Sequence, residues 1–186
     1  AGWTTHTTYS PAVSPAATLK RTLAKFRGSS RTPDDRLVDS AVNHLQESEQ
    51  PTATFVHLND LHHAYVPKRT YYDKADANRI KAFRFARQQS EFFDDRSIYA
   101  TDAADHVDEA FIQQLTQFYQ ACVHQVDALV DRLLATVSDD TTVVIYADHG
   151  ENLGDDNTFS HQYSMSDALL RVPLLIRDTA GLLFKG

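Results

Sequence analysis

The sequence predicts an α/β domain with a largely parallel or mixed sheet flanked by helices, and three observations carry that prediction. A β-branched apolar run, Val143-Val144-Ile145-Tyr146-Ala147, ends abruptly in Asp148-His149-Gly150-Glu151, as a buried strand does where it delivers polar side chains to a sheet edge. An apolar stripe at helical spacing lies directly before it. Upstream, another helical pattern is followed by another strand pattern, so the order helix then strand recurs.

Taken in order, Trp3 to Tyr9 is β-branched and aromatic and stops at Ser10-Pro11, which predicts a short strand. Leu19, Leu23 and Phe26 predict a short helix that Gly28-Ser29-Ser30 breaks. From Pro33 to Gln50 the apolar positions Leu37, Val38, Ala41, Val42 and Leu45 share a helix face. Thr32 is placed to cap that helix, Asp34 and Asp35 suit its first turn, and Pro51 closes it. Ala53 to Asn59 is a strand candidate. Residues 71 to 96 alternate Arg79, Lys81, Arg84 and Arg87 with Ile80, Phe83, Phe85 and Ala86, the pattern of a solvated helix face over a local apolar patch. Phe111, Leu115, Phe118, Cys122, Val126, Leu129, Leu133 and Val137 recur at three- and four-residue steps and predict a long helix over 108–137. Strands then follow at Thr142 to Ala147 and at Arg171-Val172-Pro173-Leu174-Leu175-Ile176.

Composition excludes some functions. At 186 residues, 42% hydrophobic and 23% charged, the chain has the makings of one folded domain rather than a disordered or fibrous one. A net charge of -7 argues against sequence-independent nucleic-acid binding, which draws on Lys and Arg. The single Cys122 excludes an intramolecular disulfide, and its helical context makes it a core residue. No apolar run approaches the ~20 residues of a membrane-spanning helix. With no signal segment and no disulfide, the cytoplasm is the favoured compartment. Oligomeric state is not readable.

Two stretches carry chemistry. Asn59-Asp60-Leu61-His62-His63-Ala64-Tyr65 and Asp148-His149 both set ionisable side chains just where an apolar run ends, and that edge is where open α/β sheets bind ligands. Taken alone, the first is equally readable as a solvated loop. Asp148 and His149 pair an oxygen donor with an imidazole and could provide two ligands of a divalent metal, which is half a site.

The order strand, Asp148-His149-Gly150-Glu151, Leu153-Gly154, His161, then Arg171-Val172-Pro173-Leu174-Leu175-Ile176 resembles the sulfatase family of the alkaline-phosphatase superfamily. Asp60-Leu61-His62-His63-Ala64-Tyr65 is similar to that family's D-x-H-x-P-Y segment, with Ala64 where proline is usual. The helix with Tyr119 and Asp127, and the opening Ala1-Gly2-Trp3-Thr4-Thr5, resemble further family segments. The likeness is weakest over 71–105, which is expected to be a variable insertion, possessing the residues that select the leaving group and, as one hypothesis, a lid.

The resemblance implies an alkaline-phosphatase-like fold and metal-dependent hydrolysis of sulfate esters, with a small-molecule or glycan sulfate ester as substrate. It implies that Asp148 and His149 ligate one divalent ion, calcium by family, with the imidazole admitting manganese or zinc. His62 matches the histidine that contacts the oxyanion, and His161 the basic residue that binds the same oxyanion or protonates the leaving group, so both are expected to be catalytic and substrate-binding. Asp-His is also common in phosphonate and phosphodiester hydrolases and in phosphoglycerol transferases, which keeps phosphoryl chemistry open. A non-catalytic module that binds an anion or a metal is the reading from another class. No C/S-x-P-x-R nucleophile motif occurs in the 186 residues. The chain is therefore expected to be one partial catalytic domain over 1–186, inert as it stands, with a formylglycine-type nucleophile and a C-terminal subdomain outside it.

Overall fold

The structure, a computed structural model, describes residues 31–99 and 102–178. The strand expected over Trp3 to Tyr9 and the helix expected around Leu19 to Phe26 lie outside those residues. The chain divides into two compact units, one running to Asp94 and taking in Gln113–Thr136, the other formed by Asp95–Ile112 and Val137 onward.

The first unit is helical. Helix α1 (Pro33–Glu47) starts where the sequence predicts, because Thr32 and Asp35 form a reciprocal capping box. The Asp35 amide donates to Thr32 Oγ1 at 3.1 Å, and the Thr32 amide donates to Asp35 Oδ2 at 2.7 Å. It ends three residues before Gln50, with Ser48 extended. Glu47 and Glu49 are unfavourable at a helix C-terminus, and Pro51 disfavours helical backbone at Gln50. Helix α2 (Arg79–Asp94) is capped by Asn78, whose Oδ1 accepts the amides of Ile80 at 3.0 Å and Lys81 at 2.9 Å. Its buried face is Ala82, Phe85, Ala86, Gln89 and Phe93, whereas Ile80 and Phe83 are exposed beside the basic residues. Helix α3 (Glu109–Leu134) is the predicted long helix, started by Asp108, whose Oδ1 accepts the Ala110 amide at 2.9 Å.

The α3 residues Leu115, Phe118, Ala121 and Cys122 are fully buried, and Phe118 packs on Phe85 of α2 with ring centroids 4.7 Å apart. Leu115 and Phe118 each contribute about 1.5–3 kcal/mol through this burial. Arg132 of α3 reaches α1 through ion pairs to Asp39 and, at 3.7 Å, to Asp35.

The strand expected over Ala53 to Asn59 is not formed: this stretch is irregular, with Phe55 67% exposed, and pairs with no strand among the described residues. A β-branched run becomes a strand only when a neighbour takes its backbone hydrogen bonds.

In the second unit, β1 (Val143–Tyr146) pairs antiparallel with β4 (Leu174–Arg177), Val144 opposite Ile176 and Tyr146 opposite Leu174. Strand β4 starts later than the expected Arg171 because Pro173 has no N–H for a ladder. Between them lie β2 (Asn152–Leu153), β3 (Phe159–Ser160), which also pair antiparallel, and the short helix α4 (Asp167–Leu170). The expected largely parallel or mixed sheet is thus not found among the described residues, where two antiparallel two-stranded ribbons stand instead. The helical elements outweigh the strands because each strand candidate meets at most one neighbour.

Candidate functional site

The loop bearing His62 belongs to the first unit, and buried side chains from all three helices hold it. Asp34 of α1 accepts the backbone amides of Asn59 at 2.6 Å and Asp60 at 2.7 Å. Asp60, 1% exposed, accepts from Thr32 Oγ1 at 2.8 Å and from Gln125 Nε2 at 2.5 Å. Gln125 Oε1 accepts the Lys68 amide at 2.7 Å. Gln89 of α2 takes both polar groups of one residue, accepting from Tyr65 N at 2.7 Å and donating to Tyr65 O at 2.9 Å. Residues 59 to 68 have no regular ladder of their own, so these core side chains satisfy the backbone that a helix or sheet would otherwise satisfy. Tyr65, fully buried, sets its ring edge-on to Phe93 and to Tyr119, with centroids 5.9 and 5.1 Å away. The His62 and His63 rings lie 4.3 Å apart, and His63 stacks on Phe93 at 4.6 Å.

The second unit brings Asp148, His149 and His161 together. Asp148 and His149 follow β1 directly, and the next turn depends on Gly150. A Cβ there would lie 1.8 Å from the Ala168 carbonyl oxygen, while the Gly150 amide donates to Leu169 O at 2.9 Å. The absence of a side chain lets α4 close onto the turn. Asp148 Oδ1 and His149 Nε2 lie 3.8 Å apart. Two ligands about 2.1 Å from one ion stand about 3.0–3.5 Å apart at common coordination angles, so a small closure would fit this donor pair to a divalent metal.

His161 follows β3 and stacks on His149, centroids 4.3 Å apart and planes 24° from parallel. Its Nδ1 lies 3.2 and 3.3 Å from the two carboxylate oxygens of Glu151. That hydrogen bond raises the His161 pKa above the usual imidazole value; burial opposes the rise, and the charges of Glu151 and Asp148 add to it. The chain around His161 is strained: Asp156, Asn157, Ser160 and Tyr163 all have φ between 48° and 66°. Asp and Asn tolerate this region, but at Ser160 and Tyr163 it costs of order 1–3 kcal/mol each. Such outliers cluster where geometry serves a site.

One feature is common to the three histidines expected from the sequence. His62 Nδ1 lies 3.0 Å from the His63 carbonyl oxygen and His149 Nδ1 lies 2.7 Å from the Gly150 carbonyl oxygen. A carbonyl only accepts, so Nδ1 must carry the proton in both. His161 makes the equivalent contact to a carboxylate. Each ring therefore has Nε2 as the nitrogen not engaged by these partners: its lone pair suits a metal, and it donates to an anion only when it too carries a proton.

Glu151, Gln89 and Gln125 are supporting residues to which the sequence reading assigned no role, and it gave Thr32 and Asp34 a part in starting α1 but none in holding the loop. The two glutamines had a signal: each stands where an apolar stripe calls for a hydrophobic side chain, Gln125 between Cys122 and Leu129, Gln89 between Ala86 and Phe93. Among the described residues no helix is long and apolar enough to cross a membrane.

A family model described as Sulfatase matches residues 3–182, nearly the whole chain. With Asp-His-Gly at the end of a strand and His161 stacked against it, that match identifies the chain as a member of the sulfatase family, which acts on sulfate esters and generally uses a divalent metal ion.

Proposed function

We propose that this chain supplies the metal-binding and leaving-group part of a sulfate ester hydrolase, as part of one catalytic domain with 71–105 as its variable insertion. The observation that carries the reading is the joint placement of Asp148 Oδ1 and His149 Nε2, 3.8 Å apart, with the His161 ring 4.3 Å from that of His149. Asp148 and His149 hold one divalent ion, calcium by family or manganese or zinc given the imidazole. When bound, that ion supplies positive charge to the non-bridging sulfate oxygens. His161, whose pKa the Glu151 hydrogen bond raises, gives an Nε2 proton to the departing oxygen. His62 has, from the family resemblance, the role of contacting the oxyanion. The nucleophile, of formylglycine type, comes from outside these residues, since no C/S-x-P-x-R occurs among them.

The test uses the protein made from its full coding sequence, assayed with an aryl sulfate and an aryl phosphodiester. Expected is aryl sulfate turnover that a chelator abolishes and a divalent ion restores, reduced more than about 100-fold in Asp148→Asn. A preference for the phosphodiester would move the assignment to phosphoryl chemistry. Chelator-insensitive turnover would overturn the metal role, and metal binding without turnover of either ester would favour a non-catalytic module.

A further inference from the structure

We propose that Glu151 is the positioning residue of His161, an inference that rests on the role given to His161 above. The ribbon of β2 and β3 sets the two side chains opposite each other. Asn152 pairs with Ser160, so one step further along the register Glu151 faces His161. The carboxylate is almost entirely buried, its side chain 5% exposed, and both of its oxygens lie within 3.3 Å of His161 Nδ1. Among the described residues no Lys or Arg pairs with it. A buried carboxylate without a cation is costly, and Glu151 pairs with this imidazole.

Two restraints at right angles follow. Stacking on His149 fixes the plane of the His161 ring, and the bond to Glu151 fixes its rotation within that plane. The carboxylate accepts the Nδ1 proton, so the neutral ring is held as the Nδ1–H tautomer with the Nε2 lone pair directed away from Glu151. Without the acceptor, the ring can turn over and the wrong nitrogen can take its place.

The deciding experiment is nitrogen NMR on protein with 15N-labelled histidine, treated with chelator and held at pH 9, where a neutral imidazole reports its tautomer. Expected is the Nδ1–H form for His161 in the wild type and in Glu151→Gln, whose amide oxygen still accepts. In Glu151→Met, which fills the same volume without an acceptor, the ring should revert to the Nε2–H form that predominates in water. Glu151→Ala serves as a second acceptor-free variant should the methionine perturb folding, and unchanged His62 and His149 signals verify the fold. An Nε2–H tautomer in the wild type, or no change in the acceptor-free variants, would overturn the proposal. With an aryl sulfate, kcat in Glu151→Met should fall about 10–100-fold with KM within about twofold. If no form turns over the ester, the hydrolase reading fails, while the tautomer still decides what Glu151 does to the ring.

Discussion

Gly150 shows how much a single position can demand. A methyl group there would sit inside the Ala168 carbonyl, and neither backbone can yield without moving α4 or the turn that carries His149. Gly150→Ala should therefore destabilise the protein by about 2–4 kcal/mol, read from the urea midpoint, and should also weaken metal binding by calorimetry. Glycine in Asp-His-Gly is readable from sequence as a tight turn; its neighbour eighteen residues on is not. Asp148, His149 and His161 were legible for a different reason: residue type and order along the chain mark them. Glu151 stood in the same motif, but its meaning depends on the register of β2 and β3, which sits on two residue pairs and a left-handed Ser160. No periodicity encodes a ribbon that short.

At the scale of elements, α1 and α3 were read well because each has a long apolar stripe, and α1 a legible cap besides, whereas in α2 Ile80 and Phe83 of the expected apolar patch are exposed. Asn78→Ala removes the side-chain acceptor for two α2 amides and should cost about 1 kcal/mol in thermal or urea unfolding. Strands were read less well, since a strand is specified partly by a partner elsewhere in the chain. Ala53 to Asn59 has the composition of one and lacks the neighbour among the described residues. The loop after it is held instead by Gln89 and Gln125, polar residues in otherwise apolar faces. Gln125→Met would keep the volume while leaving the Lys68 amide and Asp60 without this partner. The expected loss is about 2–4 kcal/mol by urea unfolding, more than for an exposed glutamine, because the groups left behind are buried.

For the whole molecule, the sequence placed the chain in its family but not its sheet: two antiparallel ribbons and three long helices replace the expected parallel or mixed arrangement among the described residues. Stability should depend on pH through Asp35. Burial pushes the Asp35 pKa up, but the Lys68 ammonium at 2.6 Å, the Thr32 amide and the Thr32 hydroxyl together hold it below the ordinary value of 3.8. A carboxylate with a depressed folded pKa stabilises fully above its unfolded pKa, and that stabilisation is lost as pH falls through the folded one. Lys68→Met should thus cost about 1–3 kcal/mol near neutrality and progressively less below pH about 4, measured as urea midpoints across pH. The side-chain clamps on residues 59 to 68 have one more consequence, for amide hydrogen exchange. The N–H groups of Asn59, Asp60, Tyr65 and Lys68 donate into carboxylates and amides of the core, so they should exchange with deuterium as slowly as the middle of α3. A stretch without a helix or strand would then open only when the helices around it do.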